Sequence, residues 1–260
     1  MISVITPFKD AELWIGRCLE SMAKQRGDFQ FIIVNDHSED IGRTIAEDFA
    51  KADPRFLVLD NEHTAGVSGA RNTGLDHADG EFFTFIDADD EMNDDAWKFF
   101  ISGTGIDADM YQFDHMRYYP KRDVYKMAHT SCEGWYDAKH LPAWWCMVWN
   151  KLYRKSVYGG VRFVEGLQYG EDEVFNFDCA DISDKIYASR YATTIHRFDN
   201  SASLSKTKDA KGLVEQSHAL EDLLFRCKSA KVRNAVLETQ SEHWTSATYQ
   251  KLFVEEKPTI

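Results

Sequence analysis

The chain has 260 residues, 43% of them hydrophobic and 13% aromatic, with a formal net charge of −13. That is enough apolar material for one substantial core or two smaller ones. The negative balance argues against a nucleic-acid surface and against polybasic attachment to anionic lipid, so any anionic ligand needs a local site. Cys18, Cys132, Cys146, Cys179 and Cys227 are odd in number and scattered, with no CxxC pair, and read as reduced thiols. The N-terminus enters an apolar strand without a basic n-region, and the longest apolar stretch, "LPAWWCMVW", is too short to span a bilayer. A cytoplasmic protein is expected, with at most peripheral contact at the inner face of a membrane.

In chain order, "ISVIT", "FQFIIVN", "FLVLD" and "EFFTFID" read as buried strands, each a short apolar run ending in a polar or turn residue. Between the first two, Trp14, Cys18 and Met22 share a helical face with Ile15 and Leu19. Ser38 is a capping candidate for a second helix, and "GVSGARNTGLDHA" supplies a third. This βαβαβαβ order implies parallel strands, right-handed crossovers and a ligand crevice at the strands' carboxyl ends. Asn93 is a candidate N-cap, with Asp94 and Asp95 in the first turn of a helix carrying Ala96, Trp97, Phe99 and Phe100.

Beyond residue 105 the alternation weakens. "DMYQFD" and "DVYKMA" read as further strands, "HMRYYPKRDVYK" (residues 115–126) as an exposed basic hairpin, and "WWCMVWNKLY" as a mostly buried segment. "GEDEVFNFDCADIS" has a helical apolar pattern, and residues 208–254 read as a further helical stretch. The expected organisation is a unit over 1–206, with a nucleotide-facing half (1–100) and an acceptor-facing half (101–206), followed by a helical extension over 207–260.

The strand ending in "FIDADD" places Asp87, Asp89 and Asp90 together, where mutual repulsion calls for water or a cation. A calcium hand is excluded, because the sixth loop position from Asp87 is Met92 and the twelfth is Lys98. What remains is an oxygen-rich site suited to Mg2+ or Mn2+, ions that bind through one or two carboxylates plus substrate phosphates.

The ordered set "ISVITPFKD", "IIVNDHSED", "AGVSGARNTGLDHADGEF", "FIDADD" and "LQYGEDEVFN", over residues 1–178, resembles the family 2 glycosyltransferases. The resemblance implies a GT-A fold, an α/β mixed sheet flanked by helices, and inverting transfer from a nucleoside diphosphate sugar to a saccharide or lipid-linked acceptor. It also implies Mn2+ or Mg2+ as cofactor. Matched to the family's motifs, Thr6, Pro7 and Phe8 lie against the nucleoside and Asp36 reads the uracil edge. Arg71 and Asn72 stand near the donor, with Asp87 towards the ribose, Ala88 beside it and Asp89 towards the metal. Asp90 is an extra carboxylate able to share either role, and His196 a further candidate ligand. Asp172, in preference to Glu171 and Glu173, is selected as the base that activates the acceptor hydroxyl. Asn35 and His37 depart from the family, which often has Asp and Gly there. Trp144, Trp145 and Trp149 are candidates for stacking on sugars or for the core.

Other readings are open. A sugar nucleotidyltransferase would start with a glycine-rich, Arg-containing loop, and "MISVITPFKD" has no glycine. A dehydrogenase would carry GxGxxG after the first strand, which is absent. A protein that binds nucleotide sugar or glycan without turnover would lack the acids that are present here.

Overall fold

The computed structural model describes residues 1–129, 133–136, 147–183, 185–198 and 210–245. Trp144, Trp145, Cys132 and Cys146 lie outside these residues. The first half alternates β1 (Ile2–Phe8), α1 (Ile15–Ala23), β2 (Phe29–Asn35), α2 (Gly42–Ala52), β3 (Phe56–Asp60), α3 (Val67–Asp76) and β4 (Phe82–Phe85). The short β5 (Glu91–Met92) and α4 (Ala96–Thr104) follow, then β6 (Met110–Tyr119), β7 (Val124–Ala128), β8 (Gly134–Tyr136), β9 (Lys151–Arg154) and α5 (Lys155–Tyr158). The last elements are α6 (Glu171–Asp181), β10 (Ile186–Arg197), α7 (Ala210–Arg226) and α8 (Ala230–Thr245).

One sheet runs in the order β3-β2-β1-β4-β9-β6-β10-β5, with β7 added to β6 and β8 to β10. β1 pairs in parallel with both β2 and β4, so the strand order reverses at β1 and opens a crevice at its carboxyl end. The continuous apolar runs arise because these strands are covered on both faces. Ile5, Ile32, Val34, Phe83 and Phe85 enter one core with α3, α6, α7 and α8, whereas Val4, Phe31, Ile33 and Phe82 enter the other with α1 and α4. In the second half β9 runs antiparallel to β4 and β6, and β10 runs parallel to β6. The expected basic hairpin is β6 paired antiparallel with β7, and all of Val124–Met127 is exposed.

Three local expectations are corrected. Ser38 does not cap α2: its Oγ accepts the Asp10 N–H at 3.1 Å, and the helix begins at Gly42, whose N–H donates to Asp40. Asp94 and Asp95 lie in the turn before α4, not in its first turn, because Ala96 N–H closes that turn on the Asn93 carbonyl. The C-terminal stretch is two helices, broken where Asp181 accepts the N–H groups of Lys228 and Ser229. Leu220, Leu223, Val232 and Val236 of this pair are fully buried against α6 in the first core. Among the described residues, no helix is long and apolar enough to cross a membrane.

Candidate active site

The loops after β1 and β2 brace each other at the crevice mouth. Asp10 N–H donates to Ser38 Oγ, Asp10 Oδ1 accepts the Glu39 N–H at 2.8 Å, and Glu12 N–H donates to Asp40 at 2.7 Å. His37 has φ of 58°, in the left-handed region where glycine is favoured. Asn35 holds the ends of β2 and β3 together by donating to Asp60 while accepting the Ser38 N–H.

Two adjoining cavities occupy the crevice. The smaller, about 390 Å³, is lined by Pro7, Phe8, Lys9, Asp36, Ala65, Gly66 and Val67. Its floor is the Asp36 carboxylate, which accepts Asn61 Nδ2 at 2.7 Å and the Gly66 N–H at 2.9 Å. Burial opposes ionisation of Asp36, but these hydrogen bonds outweigh it and hold the group below its ordinary 3.8. Gly66 has φ of 128°, a conformation that turns its N–H towards Asp36 as the chain enters α3.

The larger cavity, about 480 Å³, shares Pro7, Phe8, Lys9 and Val67 and continues over Trp14, Arg71, Asp87, Ala88, Asp89, Trp149, Glu171, Asp172 and His196. Arg71 is its electrostatic centre. One nitrogen donates to Asp172 at 2.5 Å and Glu171 at 3.0 Å, and another to Asp87 at 3.0 Å. The guanidinium also sits 5.2 Å from the Phe163 ring centroid, and its Nε–H is buried without a partner among the described residues. Arg71 therefore ties the end of β4 to the start of α6. Glu171 and Asp172 reach it because Gly170, with φ of 77°, turns the chain into α6. Burial raises the Asp172 pKa well above 3.8, with Arg71 opposing and the Glu171 and Asp87 charges assisting. Glu173 points elsewhere and accepts Gln216 Nε2 of α7.

His196 and Asp90 form a second pair. Both carboxylate oxygens stand 3.1 Å from His196 Nδ1, and one also accepts the Arg197 N–H at 2.9 Å. An ionised carboxylate only accepts, so with Asp90 ionised Nδ1 carries the proton and the ring is oriented from behind. Burial drives Asp90 up to about 7 despite His196. Burial lowers the His196 pKa, and the bond to Asp90 outweighs it, leaving His196 above its ordinary 6.5.

Sequence matching thus places Pro7, Phe8, Asp36, Arg71, Asp87, Ala88, Asp89, Asp172 and His196 on the two cavities. Three expected positions lie off the lining of the two cavities. Thr6 is fully buried and its hydroxyl faces Met22 beneath α1. Asn72 is buried and donates to the Phe163 carbonyl and Glu165, so it fastens α3 to the loop before α6. Asp90 is 1% exposed and spends its oxygens behind His196, away from the cavity wall. Trp14 and Met147 line the cleft without a sequence motif that marks them for it, Glu171 lines it beside Asp172, and Asn61 positions Asp36. Their roles depend on chain crossings that no local motif records. Among the described residues there is no group of three or more His, Cys, Asp or Glu arranged to hold a metal.

A parallel half carrying two cavities at its strand ends, faced by an acidic helix start from the mixed half, defines the GT-A fold. The sequence profile of Glycosyl transferase family 2 matches residues 3–168, and the chain belongs to that family. It is 30% identical over 191 residues to the uncharacterized glycosyltransferase EpsJ of Bacillus subtilis (strain 168), covering 68% of this chain and 55% of that one. Over 91 residues it is 36% identical to the Escherichia coli UDP-Glc:alpha-D-GlcNAc-diphosphoundecaprenol beta-1,3-glucosyltransferase WfgD, covering 35% of each chain. The structure of S. aureus TarS residues 1–349 in complex with UDP-GlcNAc superposes with a TM-score of 0.80 at 20% identity, covering 98% of this chain and 77% of that one. The chain spans about half the length of EpsJ.

Proposed function

We propose that the chain is an inverting glycosyltransferase that moves a sugar from a UDP-linked donor to a saccharide or lipid-linked saccharide in cell-surface polysaccharide synthesis. The observation that carries this reading is the meeting of two carboxylate groups on one cleft, Asp87 with Asp89 on one side and Glu171 with Asp172 on the other. The smaller cavity takes the base and ribose, with Phe8 as an apolar wall and Asp36 facing the ring N–H. Lys9 and the acids then meet the diphosphate.

Asp87, Glu171 and Asp172 share the single charge of Arg71, and Asp89 adds another carboxylate. That excess of negative charge next to a diphosphate fits Mg2+ or Mn2+. The donor set suits an ion held through Asp89, with Asp87 or His196 as a second ligand, the remaining ligands coming from phosphate oxygens and water. When bound, the ion neutralises the departing diphosphate. Asp172 takes the acceptor hydroxyl proton as that oxygen bonds to the anomeric carbon. The carbon–oxygen bond to the diphosphate breaks, and its electron pair leaves with the nucleotide. Burial suits Asp172 to this step, since a carboxylate of raised pKa is a stronger base, and Arg71 fixes its direction.

The relatives support the acceptor class, because WfgD is named for a diphosphoundecaprenol-linked substrate. Transfer to such an acceptor would take place at the cytoplasmic face of a membrane. Binding without turnover is disfavoured by Asp172 standing inside the cleft. The test is a thermal-shift series with UDP, GDP, ADP and CDP, each with and without Mn2+. UDP with Mn2+ should raise the melting temperature most, since a ligand of the native state stabilises by mass action. A preference for GDP, or a response that ignores Mn2+, overturns the donor assignment.

A further inference from the structure

The pairing registers of β7, β6 and β10 put Arg117 directly opposite both Lys126 and His196. Directly paired residues share a sheet face, and so do positions two apart along a strand. His115, Arg117, Tyr119, Lys126, His196 and Phe198 therefore lie on one side of this three-stranded patch. Their contacts run outward from the cleft, beginning at His196. His196 lines the larger cavity and stacks on Trp149 with centroids 5.3 Å apart. Phe198 meets the His196 ring at 5.2 Å and stacks on Tyr119 at 5.1 Å. Arg117 lies 5.6 Å from the Phe198 ring centroid, and Lys126 lies 5.7 Å from that of Tyr119.

In a chain with 43 acids against 30 bases, neither cation has a carboxylate partner among the described residues. Phe198 is 45% exposed, and both cations are exposed. Rings beneath the cations keep them extended and ordered, at a smaller entropic cost on binding an anion than a free Lys or Arg would bear. We propose that this face is a track for the acceptor chain, taking a glycan that bears phosphate or carboxylate groups beyond its reacting end. The proposal rests on the glycosyltransferase reading.

The geometry specifies the fit. Two residues along a strand advance about 6.6 Å, so the step from His196 to Phe198 moves on the order of one glycan unit away from the reacting centre. Arg117 and Lys126, as direct cross-strand partners, converge on one anionic group there and not on two separated ones. The aromatic edges supply apolar surface for the sugar ring. An anionic membrane is the less favoured partner, because the apolar Tyr125 and Met127 of the hairpin project from the opposite face to the cations that adjoin the cleft.

The test compares the intact chain with an Arg117→Gln/Lys126→Gln double variant and with Phe198→Ala. Calorimetry reads binding of a glycerol phosphate hexamer, an oligogalacturonate hexamer and neutral maltohexaose, with UDP and Mn2+ binding measured alongside. The wild-type chain should bind at least one anionic oligomer more tightly than maltohexaose, and the two anionic probes separate phosphate from carboxylate preference. That affinity should drop about tenfold or more in the double variant and weaken between about 0.1 M and 1 M salt, where screening becomes severe. UDP binding should be unchanged in every variant. The track is overturned if neither anionic oligomer binds, if maltohexaose binds equally well, or if the double variant binds as wild type does. It is also overturned if the variants lose only binding to phosphatidylglycerol vesicles. Failure of the track leaves UDP binding intact, whereas failure of the donor assignment on which it rests removes UDP binding from the wild-type chain itself.

Discussion

Arg71 in α3 and Asp172 at the start of α6 lie 101 positions apart and meet at 2.5 Å. Through this contact and its partner bond to Asp87, one buried guanidinium sets the spacing between the end of β4 and the helix that carries the proposed base. Arg71→Met should therefore loosen both halves at once. Removing one member of a buried ion network costs about 3–5 kcal/mol. The value here should fall near the low end, because the Asp87 side chain is 33% exposed and can recruit water. Arg71→Lys should restore little, since a point-like ammonium cannot span three carboxylates as a planar fork does. Urea denaturation reads the loss, and an unchanged midpoint for Arg71→Met contradicts the hub.

His63 is expected to make stability depend on pH. Its Nε2 is 2.8 Å from Asp76 and its Nδ1 is 2.9 Å from Glu165, and only the imidazolium donates to both. The hydrogen bond with Asp76 raises its pKa above the ordinary 6.5. A raised folded pKa means that the stabilisation is full below about pH 6.5 and disappears as pH rises through the folded value. Asp76 is held below 3.8, burial opposing and the bonds from His63 and Arg162 prevailing, while the hydrogen bond with Thr64 does most to lower Glu165. Those two contributions are present above the ordinary carboxylate range and lost as pH falls. Melting temperature should thus decline from pH 6 to pH 8 more steeply in the wild-type chain than in His63→Gln. The two slopes being equal would count against the clamp. Its effect should be small, because the His63 side chain is 31% exposed.

The parallel half was legible because each of its strands is a compact apolar run and each motif sits at a strand end, so local pattern and global position coincide. Phe85, Asp87 and Asp89 illustrate this: the strand that buries Phe85 ends there, and the turn that follows it carries the acids at the crevice. Thr6 and Asn72 lie off the cavity lining for the converse reason. They adjoin true cleft residues in sequence, but the period of two in β1 sends Thr6 under α1, and the helical turn of α3 sends Asn72 to Phe163. Asp90 could not be separated from Asp89 by composition. Only the arrival of β10 over 100 positions later, with His196 and the Arg197 N–H, absorbs its carboxylate. The aromatic face of β6 and β10 was likewise hidden, since it depends on the register between strands distant in sequence.

Asp89→Asn should weaken binding of UDP with Mn2+ while leaving the fold intact. The amide keeps the shape but removes the charge proposed to hold the ion. Asp89 is one of the carboxylates whose charge acts on Cys18 and Asp90, so its neutralisation should also relieve repulsion and leave apo stability equal or slightly higher. Calorimetric titration of UDP with and without Mn2+ separates the two effects. Retention of full Mn2+-dependent affinity removes Asp89 from the metal site.

Asp172→Asn should abolish transfer and spare donor binding. Its carboxylate lines the larger cavity, whereas the smaller cavity, proposed for the nucleoside, is built from Pro7, Phe8, Asp36 and Gly66, so UDP affinity should change little. The amide cannot accept the hydroxyl proton as the acceptor oxygen bonds to the anomeric carbon. Loss of a general base costs about a hundredfold to ten-thousandfold in rate. Glu171→Gln and Glu173→Gln are the informative controls because the three acids start one helix but face different ways. Glu173 is bonded to Gln216 of α7, and its variant should retain transfer. Glu171 shares the Arg71 nitrogen with Asp172, so Glu171→Gln should lower the rate through loss of aim, by less than Asp172→Asn does. A rate close to wild type in Asp172→Asn, together with a collapse in Glu171→Gln, would transfer the role of base to Glu171 and leave Asp172 as the residue that positions it.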